Sequence, residues 1–130
     1  MTSLLALCLI VLSFSTCKKY VEPYEVKFNV EVDEIGSYSS RITITHNGTN
    51  RDLYYGKVME GDKIDEQQVI DELTYLYWTG QLEGELFSQL KRVVHLTGLS
   101  PEKTYSYFVV GFDKNREPYG IPSKISITQL

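Results

Sequence analysis

The sequence has few of the side chains that most often build metal or redox sites. It contains two cysteines and two histidines, and neither His46 nor His95 stands at a spacing that pairs metal ligands. No fingerprint of an activated nucleophile, a phosphate-binding loop or a dinucleotide site occurs along the chain. We therefore expect no metal, no cofactor and no enzymatic activity.

An excess of positive charge is also missing. Lysine and arginine together number 13 against 17 acidic residues, which gives a net charge of -4. Because nucleic-acid affinity depends on clustered lysine and arginine, nucleic acid is not an expected partner. A length of 130 residues with 42% hydrophobic side chains fits one ordinary globular domain.

The first sixteen residues lack charged side chains altogether. They include an apolar run over residues 4–12, which is too short to cross about 30 Å of hydrocarbon. Such a run is typical of a signal peptide. An alternative is that this segment forms an N-terminal apolar strand or helix of the domain itself.

The cysteine positions refine this prediction. Cys8 lies inside the apolar run and Cys17 follows it, so cleavage before Cys17 would leave one thiol, which cannot close an internal disulfide. Residues 14–17, Phe-Ser-Thr-Cys, resemble the lipobox of bacterial lipoproteins. The resemblance implies that Cys17 carries fatty acyl chains such as palmitate and anchors the protein in the cell envelope, at the outer membrane, on either its periplasmic or its surface face. Conventional cleavage at a nearby small residue is the alternative.

Residues 17–23, which end in Pro23, are expected to form a short tether. From residue 24 the pattern becomes that of a β-sheet, since Val26, Phe28, Val30 and Val32 alternate with polar residues. Further strands are expected at 41–45, 53–58, 90–96 and 121–128. The first three strands could pair consecutively, with a left-handed tight turn at 47–50.

A helical period replaces the alternation between residues 62 and 80. Asp65 is suited to cap the N-terminus of a helix, and Gly80 to end it. The apolar residues of this segment fall on one arc of a helical wheel: Val69, Ile70, Leu73, Leu76 and Tyr77. The sequence therefore predicts one amphipathic helix over about 65–79.

The opposite side of that helix carries the strongest candidate site. Asp71, Tyr75 and Trp78, the only tryptophan, fall within about 60 degrees of one another on the wheel. Aromatic rings beside a carboxylate suit a sugar or a peptide, so we predict a ligand-binding surface here. Alternatively, Trp78 covers one end of the domain or packs under Leu82 and Phe87.

Three other patterns have competing interpretations. Glu83 and Glu85 could form a catalytic acid-base pair, but a solvated loop is the simpler interpretation. Asp113 and Asn115 could offer oxygen ligands to calcium, although the turn chemistry of these residues explains them. The sequence 47–49, Asn-Gly-Thr, could accept a glycan, but its interpretation as a turn is preferred.

Residues 96–113 resemble a known type of corner between two strands of a β-sandwich. Leu99 and Pro101 precede Tyr105 at the spacing found between the fifth and sixth strands of fibronectin type III domains. The resemblance implies that Leu99 fills the core, that Pro101 fixes the turn, and that the Tyr105 hydroxyl bonds back to the corner backbone. The predicted helix lies where that family has short strands. In this respect the chain resembles the helix-bearing domains of Bacteroidetes lipoproteins.

We therefore expect residues 24–130 to be mainly β, a variant fibronectin type III (immunoglobulin-like) β-sandwich with one inserted helix. Because a fold does not determine a function, the functional expectation depends on the anchor and the helix surface. It is a membrane-anchored, non-enzymatic lipoprotein that acts as a recognition or accessory module for an envelope protein or glycan. The alternative is a structural spacer without a ligand, and the exposure of Trp78 helps to separate the two.

Overall fold

The computed structural model describes residues 26–130, so the predicted signal peptide, the tether and Cys17 lie outside the described residues. The elements in chain order are β1 (Phe28–Ile35), β2 (Ser40–His46), β3 (Leu53–Glu60), α1 (Glu66–Trp78), β4 (Lys91–Leu96), β5 (Thr104–Phe112) and β6 (Pro118–Thr128). Within this range the strands form two antiparallel sheets, β1-β2-β4 and β3-β5-β6. For residues 26–130, the expected mainly β arrangement with one helix, consistent with a sandwich, is confirmed.

The predicted pairing of β2 with β3 is wrong. β3 pairs with β5 in the other sheet, and the connection over residues 47–52 crosses between the sheets. Neither Asn47 nor Gly48 adopts a positive φ, so the left-handed hairpin turn does not form. Instead the Asp52 carboxylate shapes the loop, because it accepts hydrogen bonds from the Thr49 amide at 2.6 Å and from the Tyr119 hydroxyl.

The core between the two sheets consists of alternate strand residues. Its buried members are Val26, Phe28, Val30, Ile42, Ile44, Tyr54, Leu96, Leu99, Tyr107, Val109 and Ile127. Gly111 is required within it, because a Cβ at this position would lie 2.6 Å from the Phe28 ring. The alternation seen in the sequence thus corresponds to one buried face in each sheet.

A second apolar layer lies on the outer face of the β3-β5-β6 sheet. There α1 packs Val69 and Leu73 against Phe108, Val110 and Phe112 of β5. Because both faces of β5 are covered, every residue from 106 to 112 is buried, and the strand reads as a nearly continuous apolar run. The described chain therefore has three layers: sheet, sheet and helix.

The ends of α1 follow the predicted capping chemistry. The Asp65 carboxylate accepts a hydrogen bond from the Gln68 amide at 3.2 Å. At the other end Gly80 has φ 73°, and the Gln81 amide bonds to the Leu76 carbonyl at 2.8 Å, which is a Schellman stop. The predicted helix is confirmed to within one residue at each end.

In residues 26–130, no helix has the length and apolar content that crossing a bilayer requires.

The corner before β5 has the expected contacts. The Tyr105 hydroxyl accepts a hydrogen bond from the Ser100 amide at 2.9 Å, and Leu99 is buried in the inter-sheet core. The Leu99 amide also donates to the Tyr38 carbonyl at 3.0 Å. This second contact ties the corner to the turn between β1 and β2.

Candidate functional site

The three predicted ligand-binding residues share the solvent side of α1. Asp71 is exposed, and Tyr75 and Trp78 have 63% and 55% of their surface exposed. Leu82 and Phe87 pack against the two apolar layers, and more than half of the Trp78 surface stays exposed, which does not fit an indole buried beneath them. The exposure of this helix surface, Asp71-Tyr75-Trp78, is confirmed, and ligand binding by it stays a prediction.

Trp78 is fixed in orientation although it is exposed. Its indole Nε1–H donates to the Arg116 carbonyl at 3.1 Å, and the Arg116 guanidinium lies 5.1 Å from the centre of the Tyr77 ring. Arg116 has φ 65°, a left-handed conformation that costs about 1 kcal/mol for a non-glycine residue. The turn between β5 and β6 therefore holds the polar edge of the indole and leaves much of the side chain open to solvent.

The turn that holds Trp78 is organised by Asp113. Its Oδ1 accepts hydrogen bonds from the amides of Asn115 at 2.8 Å and Glu117 at 3.0 Å. This is the Asx chemistry that the sequence favoured over calcium binding. In the part of the chain that the structure describes, no group of three or more potential metal ligands comes together.

Asp71 adds a charged acceptor to the helix surface. It accepts a hydrogen bond from the Gln67 side-chain amide at 2.9 Å, one turn earlier. The carboxylate is otherwise exposed, and Tyr75 follows it by one helical turn. Because an ionised carboxylate has room for several donors, Asp71 can accept further hydrogen bonds from a hydroxyl or amide placed beside the Tyr75 ring.

Two clefts of the described residues do not include these three residues in their linings. Both share Leu82, on the segment that follows α1. One, of about 270 Å³, is lined by Tyr55, Lys57, Leu73, Leu76, Gln81, Leu82 and Glu83. The other, of about 210 Å³, is lined by Tyr77, Gly80, Leu82, Gly84, Leu86 and Arg116. Both are below the roughly 300 Å³ at which small-molecule sites begin.

The catalytic interpretation of Glu83 and Glu85 gains no support from geometry. Both are exposed, and the Glu83 backbone carbonyl is engaged by the Tyr55 hydroxyl at 2.8 Å. His46 is buried, where its Nδ1 accepts the Gly48 amide at 3.2 Å and its Nε2 faces the Ser88 carbonyl at 3.4 Å. His95 is exposed on β4.

Sequence reasoning missed the Asp52–Tyr119 contact. Burial opposes ionisation of Asp52, but hydrogen bonds from Thr49 and Tyr119 outweigh it and lower the pKa of the carboxyl group. Burial and the neighbouring Asp52 carboxylate raise the pKa of Tyr119. The two residues are 67 positions apart, and no local pattern links them.

Gln129 was missed for the same reason. It is buried, and its side-chain amide donates to the carbonyls of Gly36 at 2.8 Å and Ser39 at 3.0 Å. Its carbonyl oxygen accepts from the Ser40 hydroxyl at 2.7 Å. This network fastens the residues after β6 to the turn between β1 and β2, at the end of the domain far from Trp78.

The arrangement as a whole is an aromatic and acidic surface, fixed at Trp78 by one turn and supported from beneath by the second apolar layer. It presents exposed aromatic rings and a hydrogen-bond acceptor. When the chain is compared with protein-family models and with the curated proteins, neither comparison finds a match.

Proposed function

We propose that this chain is a membrane-anchored, non-enzymatic module that binds an envelope protein or glycan through the helix surface Asp71-Tyr75-Trp78. The observation that carries the proposal is the exposed indole of Trp78, whose N–H is already bonded to Arg116. A ring held in one orientation loses little conformational freedom on binding, which favours affinity.

The sandwich is a variant of the fibronectin type III fold in this proposal. Two observations support that assignment. The strand order β1-β2-β4 over β3-β5-β6 follows the order of such sandwiches, and Tyr105 makes the hydrogen bond expected at the corner. α1 departs from the family pattern, because it covers the outer face of the β3-β5-β6 sheet.

In this proposal, residues 1–16 are removed and the lipidated Cys17 anchors the chain. The membrane that holds the anchor is the outer membrane. The apolar run and the single thiol left after cleavage support this. Nine peptide units separate Cys17 from Val26 and span about 30 Å at most, so the domain would stay close to the bilayer. Cys17→Ala should release the chain from membranes or leave it unprocessed. Unchanged detergent-phase partitioning of a correctly processed Cys17→Ala chain would refute lipidation.

The recognition surface is tested by capture from envelope extracts and by a glycan array. We expect the full chain to retain a partner that Trp78→Ala loses. Tyr38→Ala is the matched control, because Tyr38 is also an exposed aromatic, at 68% against 55% for Trp78, and lies on the turn between β1 and β2. Loss of capture with both variants, or no capture by the unaltered chain, would contradict the proposal.

A spacer without a ligand is the second candidate. The observation that favours it is that neither of the two clefts beside Leu82 includes Asp71, Tyr75 or Trp78 in its lining. If the chain is a spacer without a ligand, Trp78→Ala should leave every envelope interaction unchanged. The same capture experiment therefore decides between the two candidates.

A further inference from the structure

The strands run between two ends of the sandwich. At one end β1 begins, with Phe28 opposite His46, and β3 begins, with Leu53 opposite Phe112. This end, which we call the N-terminal pole, also holds the loops 47–52 and 113–117 and the start of β4. The opposite pole holds the turns 36–39, 61–65 and 97–103.

The two poles carry opposite charge. The exposed bases of the N-terminal pole are Lys27, Arg51, Lys91, Lys114 and Arg116. The acids in its loops are Asp52 and Asp113, which are half-buried and accept backbone amides, and the exposed Glu117. Glu83 and Glu85 lie on the neighbouring segment, where the Glu83 carbonyl accepts a hydrogen bond from the Tyr55 hydroxyl near the start of β3. Five bases against three loop acids leave this pole with a small positive excess, in a chain whose net charge is -4.

Acidic residues dominate the opposite pole. Its exposed acids are Asp33, Glu34, Glu60, Asp62, Asp65, Glu66 and Glu102. Its bases are Arg41, Lys63, Lys103 and Lys124, whose Nζ donates to the Asp62 carbonyl at 3.4 Å. Arg41 pairs with Asp33 and Glu34, and Lys103 pairs with Glu60. The excess negative charge of the chain is thus concentrated far from the loops of the N-terminal pole.

The chain enters the domain at the basic pole. The Val26 carbonyl accepts the Ile121 amide at 2.8 Å, and the Lys27 amide donates to the Asn47 side chain at 2.7 Å. Both contacts fix the entry point. Trp78 lies at the same end, since its indole bonds to Arg116 in the loop 113–117.

We propose that the N-terminal pole rests on the anionic phospholipid headgroups of the bilayer that holds the anchor. This inference rests on the proposed anchoring at Cys17. Each lysine or arginine near an anionic surface strengthens association about fivefold, so several together orient a domain that acyl chains already hold. The orientation brings Trp78 to the depth of the headgroups, where tryptophan is favoured. A partner of the helix surface is then one that lies close to the membrane.

The test uses the full chain with Cys8→Ala, coupled through Cys17 to vesicles that contain a maleimide lipid. Coupling enforces attachment, so the result does not depend on acylation in the cell. The vesicles contain phosphatidylglycerol and phosphatidylcholine in equal parts, with a lipid that quenches fluorescence at the headgroup. We expect quenching of Trp78, and loss of that quenching in vesicles of phosphatidylcholine alone.

Two matched variants sharpen the test. The first replaces Lys27, Arg51, Lys91 and Lys114 by Gln and should lose the quenching. Its control replaces the same number of charges elsewhere, at Lys57, Lys63, Lys103 and Lys124, and should keep it. A further chain with Trp78→Phe and Tyr38→Trp moves the single tryptophan to the opposite pole, and we expect it to escape quenching.

Equal quenching of tryptophan at positions 38 and 78 would overturn the proposal, because it would mean that the domain has no preferred orientation. Quenching of Trp78 that is the same with and without phosphatidylglycerol would also overturn it. Failure of the anchor is a separate result, since it is read from membrane fractionation of Cys17→Ala in cells and not from coupled vesicles.

Discussion

The core between the two sheets is more fully buried than the layer beneath α1. In the inter-sheet core most apolar members are buried, including Ile42 and Ile44 with no exposed surface. In the helix layer the buried members are fewer than the half-buried ones around them. Regions with fewer buried contacts open at lower free energy. We therefore expect the helix layer, which carries the candidate recognition surface, to open at lower free energy than the inter-sheet core.

The largest effects should come from one truncation in each layer. Ile44→Ala and Leu73→Ala each remove a fully buried aliphatic side chain, and each should lower the free energy of unfolding by about 2 to 5 kcal/mol. Ile44→Ala should weaken the whole domain together. Leu73→Ala should first raise hydrogen exchange in α1. Equal exchange in α1 for the two variants would show that the layers form one cooperative unit.

The second prediction concerns the loop that joins the two sheets. Because the pKa of Asp52 lies below its usual 3.8, its ionised form stabilises the fold at neutral pH, and this contribution is lost as the pH falls through the lowered pKa. Asp52→Asn should cost about 1 kcal/mol at pH 7 and flatten the acid limb of stability below about pH 4. Urea unfolding across pH 2 to 7 is the measurement. An unchanged acid limb would mean that Asp52 does not hold the loop.

Tyr105→Phe should lower the free energy of unfolding by a smaller amount, through the corner before β5. It removes the hydroxyl that accepts the Ser100 amide, and because this bond is exposed to solvent the cost should be near the lower end of the hydrogen-bond range, about 0.5 to 1 kcal/mol. The fold should remain. A urea midpoint equal to that of the unaltered chain would remove the corner as support for the fibronectin type III assignment.

Trp78→Ala should have the smallest effect on stability. The side chain is 55% exposed and lies outside both buried layers, so the free energy of unfolding should fall by less than about 0.5 kcal/mol. A loss of about 3 kcal/mol or more, as for a buried large side chain, would show that Trp78 supports the helix layer.

Local patterns in the sequence predicted the elements that depend on local chemistry. The alternation from Val26 to Val32 marks a buried face, and Asp65 and Gly80 cap α1 through bonds within a few residues. The face on which α1 docks was not predicted, because an amphipathic helix specifies its own apolar side but not its partner. The crossing of β3 to the second sheet was missed because Asn47-Gly48 favours a hairpin turn, whereas Asp52 and the distant Tyr119 determine the loop.

The central claim is that Trp78 is an exposed recognition residue, and its fluorescence tests this directly because the chain has no other tryptophan. The measurement is emission and acrylamide quenching of the full chain, alone and with fractions of envelope extract. We predict red, readily quenched emission for the chain alone, and a blue shift with protection from acrylamide in at least one fraction. Emission and quenching that stay unchanged in every fraction would contradict the claim.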